Sequence, residues 1–292
     1  RLMPRKTKAS ALPRRAGSTS ETAIPAAIGV NIAPRPISTR PASSSARFGA
    51  SAQTRLPSVN SASDSINALA QQWKQGLTCH FQHTLCELKH DGENWWLKFS
   101  EQPGWLGPFD RVLMTCPPVQ ALALLSKLPS QYSLCQNLQT LHHAPCWSVR
   151  WVPQVSPTLA FGEFVREGLQ SHGIALCIRE DLRPQGGGAP RFTLHATPTW
   201  SAAHIEDSSE QAAQALMQAA ATALGLSASA EYLDAHRWRY GHVTQAAGQP
   251  FLRGKNGLYY AGDACLGATA IDAMHSGLAA ADALCAELLL TA

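Results

Sequence analysis

A short apolar strand near the end of the chain runs into a Gly-Asp pair, a loop of small residues and a long helix. The strand is Gly257–Ala261, and the pair is Gly262-Asp263. Gly262 has no Cβ, so a bulky ligand can approach its backbone closely. Asp263 places an acceptor-only carboxylate where a hydroxyl-bearing ligand can bond it. The helix that follows presents unpaired N–H groups and a positive dipole end, which suit a ligand edge with partial negative charge. Its packing face is made of small residues: Ala273, Gly277, Ala280 and Ala281.

This segment resembles the C-terminal flavin-binding segment of the FAD-dependent amine oxidase superfamily, and within it the bacterial renalase-like branch. The resemblance implies that Gly262 and Asp263 contact the ribityl–pyrophosphate part of FAD. It places three more residues near the flavin ring: Thr269, Ala270 and Ile271. The chain departs from the renalase-like pattern at Ile271, where an acidic residue is usual, and at Asp272, where glycine is usual.

Three further segments extend the resemblance in the same order and spacing. They are Ala144–Trp147, Thr193–Ser201 and His236–Tyr240, so the similarity covers roughly Leu77 to the C-terminus. It implies an FAD enzyme that transfers a hydride from a small-molecule substrate to flavin, with O₂ as the acceptor. For the renalase-like branch the substrates are isomeric forms of reduced nicotinamide nucleotides. The alternative enzyme is an amine oxidase or desaturase acting on a small amine or polyene.

The segment His236–Tyr240 holds the candidate catalytic residues His236, Trp238 and Arg239. On a strand, His236, Trp238 and Tyr240 share one face, and the two arginines lie on the other. The resemblance suggests that the first face lines a flat apolar slot over the flavin. A phosphate-bearing substrate would favour arginines near the slot, whereas an amine would favour an aromatic cage. In the competing interpretation the aromatic residues are core and the arginines are solvated or paired with acids.

Other positions are weaker candidates. His195 and Trp200 are second-rank pocket residues, since a lone histidine on a strand is more often structural. In the resembled family the backbone of Thr84 and Leu85 would sit near the adenine. No metal site is predicted: Cys79, His80 and His83 lack a further ligand at credible spacing, and the adjacent pair His142-His143 points to opposite faces if extended.

The predicted fold is α/β, α+β overall, with a partial Rossmann-like FAD-binding domain and an antiparallel-sheet substrate domain. A hairpin is expected from Thr84–Lys89 and Trp95–Phe99, joined by the turn Asp91–Asn94. The segment Leu77–Phe81 is predicted to be extended, and the other predicted strands are Phe109–Cys116, Cys146–Val152, Ile174–Arg179, Arg191–Ala196 and Tyr232–Tyr240. Four helices are predicted: one that begins at Ser63 or Asp64, one at Val119–Leu125, one that runs through Leu134 and Leu138, and one at Gln211–Leu224 after a capping box at Ser208. The predicted domain ranges are 63–118 and 231–292 for flavin binding and 119–230 for the substrate.

Residues 1–62 differ from the rest in composition. They hold ten basic residues and one acid, a net charge of +9, which leaves 14 basic and 19 acidic residues and a net charge of −5 for residues 63–292. With one aromatic residue and no periodicity, the arm cannot bury enough apolar surface to offset its conformational entropy. It is interpreted as a disordered tail, a frame-shifted or wrongly joined reading of a family segment, or a transit peptide. A nucleic-acid-binding arm is disfavoured, because no aromatic interleaving accompanies the charge.

A complete member of the resembled family begins with a G-x-G-x-x-G turn that cradles the pyrophosphate, and no such motif occurs in this chain. The simplest expectation is a fragment, or a gene model, without its first βαβ unit. A rival hypothesis is therefore a non-catalytic remnant that is unable to hold FAD.

Eight cysteines without a C-x-x-C pair indicate a reducing compartment. No apolar run reaches the ~18 residues of a membrane span, and residues 1–30 lack a signal peptide. A cytoplasmic protein with a small-molecule substrate, and with no nucleic-acid or membrane partner, is expected.

Overall fold

The computed structural model describes residues 77–155, 157–158, 161–183 and 187–291. The predicted N-terminal arm and the helix predicted to begin at Ser63 or Asp64 lie outside these residues. The described chain forms three sheets, six helices and short 3₁₀ turns. No helix among the described residues is long and apolar enough to cross a membrane.

The first sheet is an antiparallel three-stranded meander. Its strands are β1 (Leu85–His90), β2 (Trp95–Phe99) and β3 (Leu106–Phe109), in the order β1-β2-β3. The turn between the first two strands forms because Asp91 Oδ1 accepts the N–H groups of Glu93 and Asn94 at 3.0 and 2.8 Å. The predicted hairpin is confirmed. The predicted extended segment Leu77–Phe81 is not a strand.

The second sheet carries the parallel strands of the molecule. Its members are β4 (Val112–Met114), β10 (Leu252–Arg253) and β11 (Leu258–Tyr260), in the order β10-β11-β4, with β11 parallel to β4. The single strand predicted for Phe109–Cys116 is wrong. Phe109 pairs with Trp95 in the first sheet, whereas Val112 pairs with Leu258 in the second. The charged pair Asp110-Arg111 lies between these residues, at the point where the pairing partner changes.

One hydrophobic core joins the first two sheets. Helices α1 (Pro118–Leu125) and α2 (Tyr132–Gln139) contribute Leu125, Leu134 and Leu138 to it, all essentially without solvent exposure. The indole N–H of Trp95 in the first sheet donates to the carbonyl of Asn256, next to the second, at 2.6 Å. The two small sheets therefore share one core with the helices that follow β4.

The third sheet has five strands, all antiparallel. They are β5 (His142–Val152), β6 (Phe164–Val165), β7 (Ile174–Arg179), β8 (Phe192–Ala196) and β9 (Tyr232–Gln245), in the order β6-β7-β8-β5-β9. Helix α3 (Pro198–Ala203) follows β8, and α4 (Ser209–Leu224) covers one face of the sheet. The predicted capping box at the start of α4 is present, and Phe192, Leu194 and Ala196 share the buried face as predicted.

The last two helices follow β11 directly. They are α5 (Asp263–Leu266) and α6 (Ala270–Thr291). Helices α1 and α2 pack with the parallel strands, and β9 pairs along its length with β5. The domain ranges expected from the sequence stay a prediction. The architecture as a whole is the mixed α/β arrangement that the sequence predicts.

Candidate active site

The Gly262-Asp263 corner lies at the carboxyl ends of two parallel strands. Strands β4 and β11 run side by side and end at the same edge, where the N–H of Ala261 donates to the carbonyl of Met114 at 3.0 Å. In α/β sheets, ligands bind outside the carboxyl ends of parallel strands. The fold therefore puts the corner at the edge of the sheet where a nucleotide cofactor is expected.

The backbone conformation at position 262 requires glycine, and the absence of a side chain there leaves space beside the backbone. Its φ of +139° belongs to a region that residues with a side chain rarely adopt. A Cβ at this position would meet only the carbonyl oxygen of Thr115, at 3.9 Å. None of the described residues fills the space beside this backbone, as close approach of a ligand requires.

Ser276 fastens the corner to helix α6. Its hydroxyl accepts the N–H of Gly262 at 2.8 Å, and its side chain is fully buried. This bond was not predicted from the sequence. The available signal was a hydroxyl residue in a face otherwise made of alanine and glycine.

Asp263 presents an ionised carboxylate that is half exposed. Its Oδ1 accepts the N–H of Ala264 at 2.8 Å and lies 3.9 Å from Nε2 of His143. The His143 imidazole is the main cause that holds the pKa of Asp263 below its usual value; partial burial opposes it, and the Ala264 N–H assists. At neutral pH the group is therefore an acceptor for hydroxyl donors.

The start of α6 is closed by a reciprocal cap. Thr269 Oγ1 accepts the N–H of Asp272 at 3.1 Å, and Asp272 Oδ2 accepts the N–H and the hydroxyl of Thr269 at 3.0 and 2.6 Å. Asp272, which departs from the resembled pattern, thus has a structural use. Ala270 and Ile271 lie exposed at this helix start, and their N–H groups take no part in the cap.

His236 and Trp238 lie together on the sheet face opposite α4. Strand pairing sets His236 beside Ser148 and Trp238 beside Cys146, while Ser148 also pairs with His195 of β8. The rings of His236 and Trp238 meet edge to face, with centroids 4.4 Å apart, and Trp238 is 49% exposed. We call this surface the open face, defined by His236, Trp238, Ser148 and His195.

His195 belongs to this open face and is held by its neighbours. Its Nδ1 lies 3.1 Å from the hydroxyl of Ser148 and 3.8 Å from the sulfur of Cys146. Burial lowers the pKa of His195, so the imidazole is neutral at neutral pH. His195 is thus a neutral imidazole on the open face that also contains His236.

The two arginines of the same segment point to the other side of the sheet. Arg237 donates to the carbonyl of Ile205 and lies 3.7 Å from the carboxylate of Glu206, and Arg239 lies 3.2 Å from that carboxylate. Strand alternation causes this separation. The structure therefore does not bring Arg239 together with His236 and Trp238.

Three other predicted residues lie away from the corner. The N–H of Thr84 donates to Glu101 at 2.7 Å and its carbonyl accepts from Ser100 at 3.0 Å, while Leu85 is buried in the first core. Trp200 stacks on His204 with ring centroids 4.0 Å apart. Within the described residues, no group of histidine, cysteine and acidic side chains could hold a metal.

A family model for flavin-containing amine oxidoreductases matches residues 42–285, which is more than half of the chain. The chain belongs to this family. The match takes in residues 42–62 of the predicted arm, whose boundary stays a prediction. Membership implies FAD as the cofactor, and the corner fits FAD on the evidence of the unfilled space at Gly262 and the ionised carboxylate of Asp263.

Two solved structures share the fold. A protein described as a protoporphyrinogen oxidase from Exiguobacterium sp. 255-15 is 16% identical, with a TM-score of 0.58, over 75% of this chain and 50% of its own. Cyclohexylamine oxidase from Brevibacterium oxydans IH-35A is 12% identical, with a TM-score of 0.50, over 70% and 48%. The chain thus spans about half the length of these structures.

Proposed function

We propose that the protein is an FAD-dependent oxidoreductase of the renalase-like kind, whose substrate is an isomeric dihydronicotinamide nucleotide and whose acceptor is O₂. When bound, FAD supplies the redox chemistry by accepting a hydride and passing its electrons to O₂, which gives hydrogen peroxide. The observation that carries this proposal is the Gly262-Asp263 corner at the carboxyl edge of parallel strands.

The chain's own residues would hold the cofactor by position and polarity. Asp263 would accept a ribityl hydroxyl, and the glycine before it would let the cofactor approach the backbone. The start of α6, at Ala270 and Ile271, would face the flavin ring with its N–H groups. The backbone of Thr84 and Leu85 is retained as the adenine neighbour that the resemblance implies, although both backbone groups of Thr84 already have partners and the Leu85 side chain is buried in the first core.

The open face would hold the substrate ring. Trp238 offers an exposed aromatic surface for a flat ring, and His236 meets it edge to face. Arg150 lies on the same face of β5 as Ser148, two residues further along the strand, so it is a cation next to the open face. Its guanidinium forms an ion pair with Asp234. The exposed Trp238 ring supports a substrate with a flat ring, and an anionic group on that substrate would have to compete with Asp234 for Arg150.

A small amine is the second candidate substrate, and a specific observation favours it. The arginines that would bind a phosphate, Arg237 and Arg239, are committed to Glu206 on the opposite side of the sheet. An open face of tryptophan and imidazole suits an amine, since aromatic rings attract cations. Cytoplasmic location and the lack of a nucleic-acid or membrane partner remain part of the proposal, and the eight free cysteines agree with a reducing compartment.

Anaerobic mixing of the FAD-loaded protein with each substrate class tests the function. We expect bleaching of the flavin band by isomeric dihydronicotinamide nucleotides and recovery on admission of O₂. Trp238→Ala should slow bleaching about fivefold, since an aromatic contact is worth roughly 1 kcal/mol. Trp105→Ala, at a partly exposed tryptophan just before β3, is the matched control. Bleaching by amines alone would select the second candidate, and a protein that retains no FAD would favour the remnant.

A further inference from the structure

His143 reaches the Gly262-Asp263 corner from the five-stranded sheet. Its side chain is only 5% exposed, and Nε2 lies 3.9 Å from Oδ1 of Asp263. At this separation the imidazole makes a polar contact that is longer than a direct hydrogen bond. The residue comes from β5, far from the corner in sequence, so the contact depends on how the two cores meet.

The five-stranded sheet and the residues that follow it contact the corner at a second point. The N–H of Ala247, just after β9, donates to the carbonyl of Ala264 at 3.0 Å. The ring of Tyr240 in β9 lies edge-on to the imidazole of His143, with centroids 6.3 Å apart and planes at 87°. These contacts orient the imidazole and hold the end of the sheet against the corner.

The two oxygens of Asp263 are used differently. Both contacts that hold the carboxylate, from Ala264 N–H and from His143, are made to Oδ1. Oδ2 takes part in neither. A carboxylate fixed through one oxygen offers the other in a set direction, and the side chain is still 49% exposed.

From this geometry we propose that His143 is a positioning residue for the flavin: it fixes the Asp263 carboxylate so that the second oxygen faces the ribityl hydroxyls. The inference deepens the proposed function and rests on the flavin site described above. His143 touches no reacting atom, so its effect would be on cofactor affinity. Removing it frees the carboxylate to rotate and adds an ordering cost to binding.

The other titratable groups around Asp263 are neutral at working pH. Burial raises the pKa of Tyr260 and of Cys265, both of which interact with Asp263, and raises that of Cys116 to about 11. The imidazole of His143 is therefore the group whose removal should change the titration of Asp263. This gives a readout that does not depend on catalysis.

The test compares three variants of the full chain. His143→Leu removes the polar contact, His143→Gln keeps an N–H donor, and His142→Leu changes the adjacent, exposed imidazole as a control. FAD affinity is measured by quenching of flavin fluorescence. We expect His143→Leu to raise Kd about 5–10-fold, the size of a lost polar contact, with partial rescue by His143→Gln and no change in His142→Leu.

A second measurement follows the Asp263 carboxyl by NMR in the absence of FAD. Its pKa should rise in His143→Leu and stay low in His142→Leu. If the wild-type protein binds FAD and His143→Leu binds it equally well, this inference is wrong while the proposed function stands. An unchanged Asp263 titration in His143→Leu would also overturn the inference. A wild-type protein that binds no FAD would overturn the proposed function and this role together.

Discussion

Single carboxylates in this molecule are held by several donors at once, and Asp91 is the clearest case. Besides the two turn N–H groups, it accepts the indole N–H of Trp96 at 2.7 Å through Oδ2. These three hydrogen bonds lower the pKa of Asp91 to about 2, and the N–H of Asn94 contributes most, followed by those of Trp96 and Glu93. The ordinary value is about 3.9.

The depressed pKa of Asp91 fixes the direction of its pH dependence. A carboxyl with a lower pKa in the folded state stabilises the fold above its unfolded pKa, and this contribution is lost as pH falls from about 4 towards 2. We expect Asp91→Asn to reduce the acid-induced loss of unfolding free energy in this window. Urea titrations at several pH values would show it, with Asp282→Asn as a control. Identical pH profiles for Asp91→Asn and wild type would contradict the prediction.

Asp263→Ala should weaken flavin binding at least as much as His143→Leu. The variant removes the carboxylate itself, and a hydrogen bond to a charged group is worth about 1.5–3 kcal/mol, or roughly 10–100-fold in Kd. Asp282→Ala, on the outer side of α6, is the matched control. Fluorescence titration with FAD measures both, and an unchanged Kd for Asp263→Ala would remove Asp263 from the site.

Residues whose type is unusual at their position can be selected from the sequence as candidates, whereas residues whose partners are distant cannot. Gly262 and Asp263 stand out within a small-residue segment, and the alternation of β9 placed His236 and Trp238 on one face. The contacts of His143 and Ser276 with the corner were not predicted, because each is a contact between residues distant in sequence that no local pattern encodes. Arg239 was selected for its charge, and the partner that engages it, Glu206, is distant in the chain.

At the scale of elements, the capping box of α4 is the most direct test of local chemistry. Ser208 Oγ accepts the N–H of Gln211 at 3.2 Å, and the Gln211 side chain accepts the N–H of Ser208 at 3.0 Å. Ser208→Ala should lower the free energy of unfolding by about 1 kcal/mol. Urea denaturation measures this against Ser209→Ala, which lies inside the helix start. Equal stability of the two variants would contradict the capping role.

Elements with strong local patterns were predicted well, and changes of partner were not. Strand β7 has the predicted bounds, Ile174–Arg179, because its apolar run is bounded by polar turns. The split between β3 and β4 was missed, although the charged pair Asp110-Arg111 separates the buried Phe109 from the buried Val112 and Met114. Only tertiary pairing assigns them to two sheets.

For the whole molecule, two cores meet at the corner that is proposed to hold the flavin. The parallel strands and α6 shape it from one side, and β5 and β9 contact it from the other through His143 and Ala247. Flavin at this position would lie at the parallel-strand edge, next to the part of β5 that carries His143. Cofactor binding should therefore depend on both units.

The most direct measurement is the FAD content of the purified wild-type chain after incubation with FAD and gel filtration. The protein should emerge yellow, carry about one flavin per chain and release it on denaturation, as a single corner of this kind implies. A colourless protein that also leaves the fluorescence of added FAD unquenched would contradict the assignment of the Gly262-Asp263 corner as a flavin site.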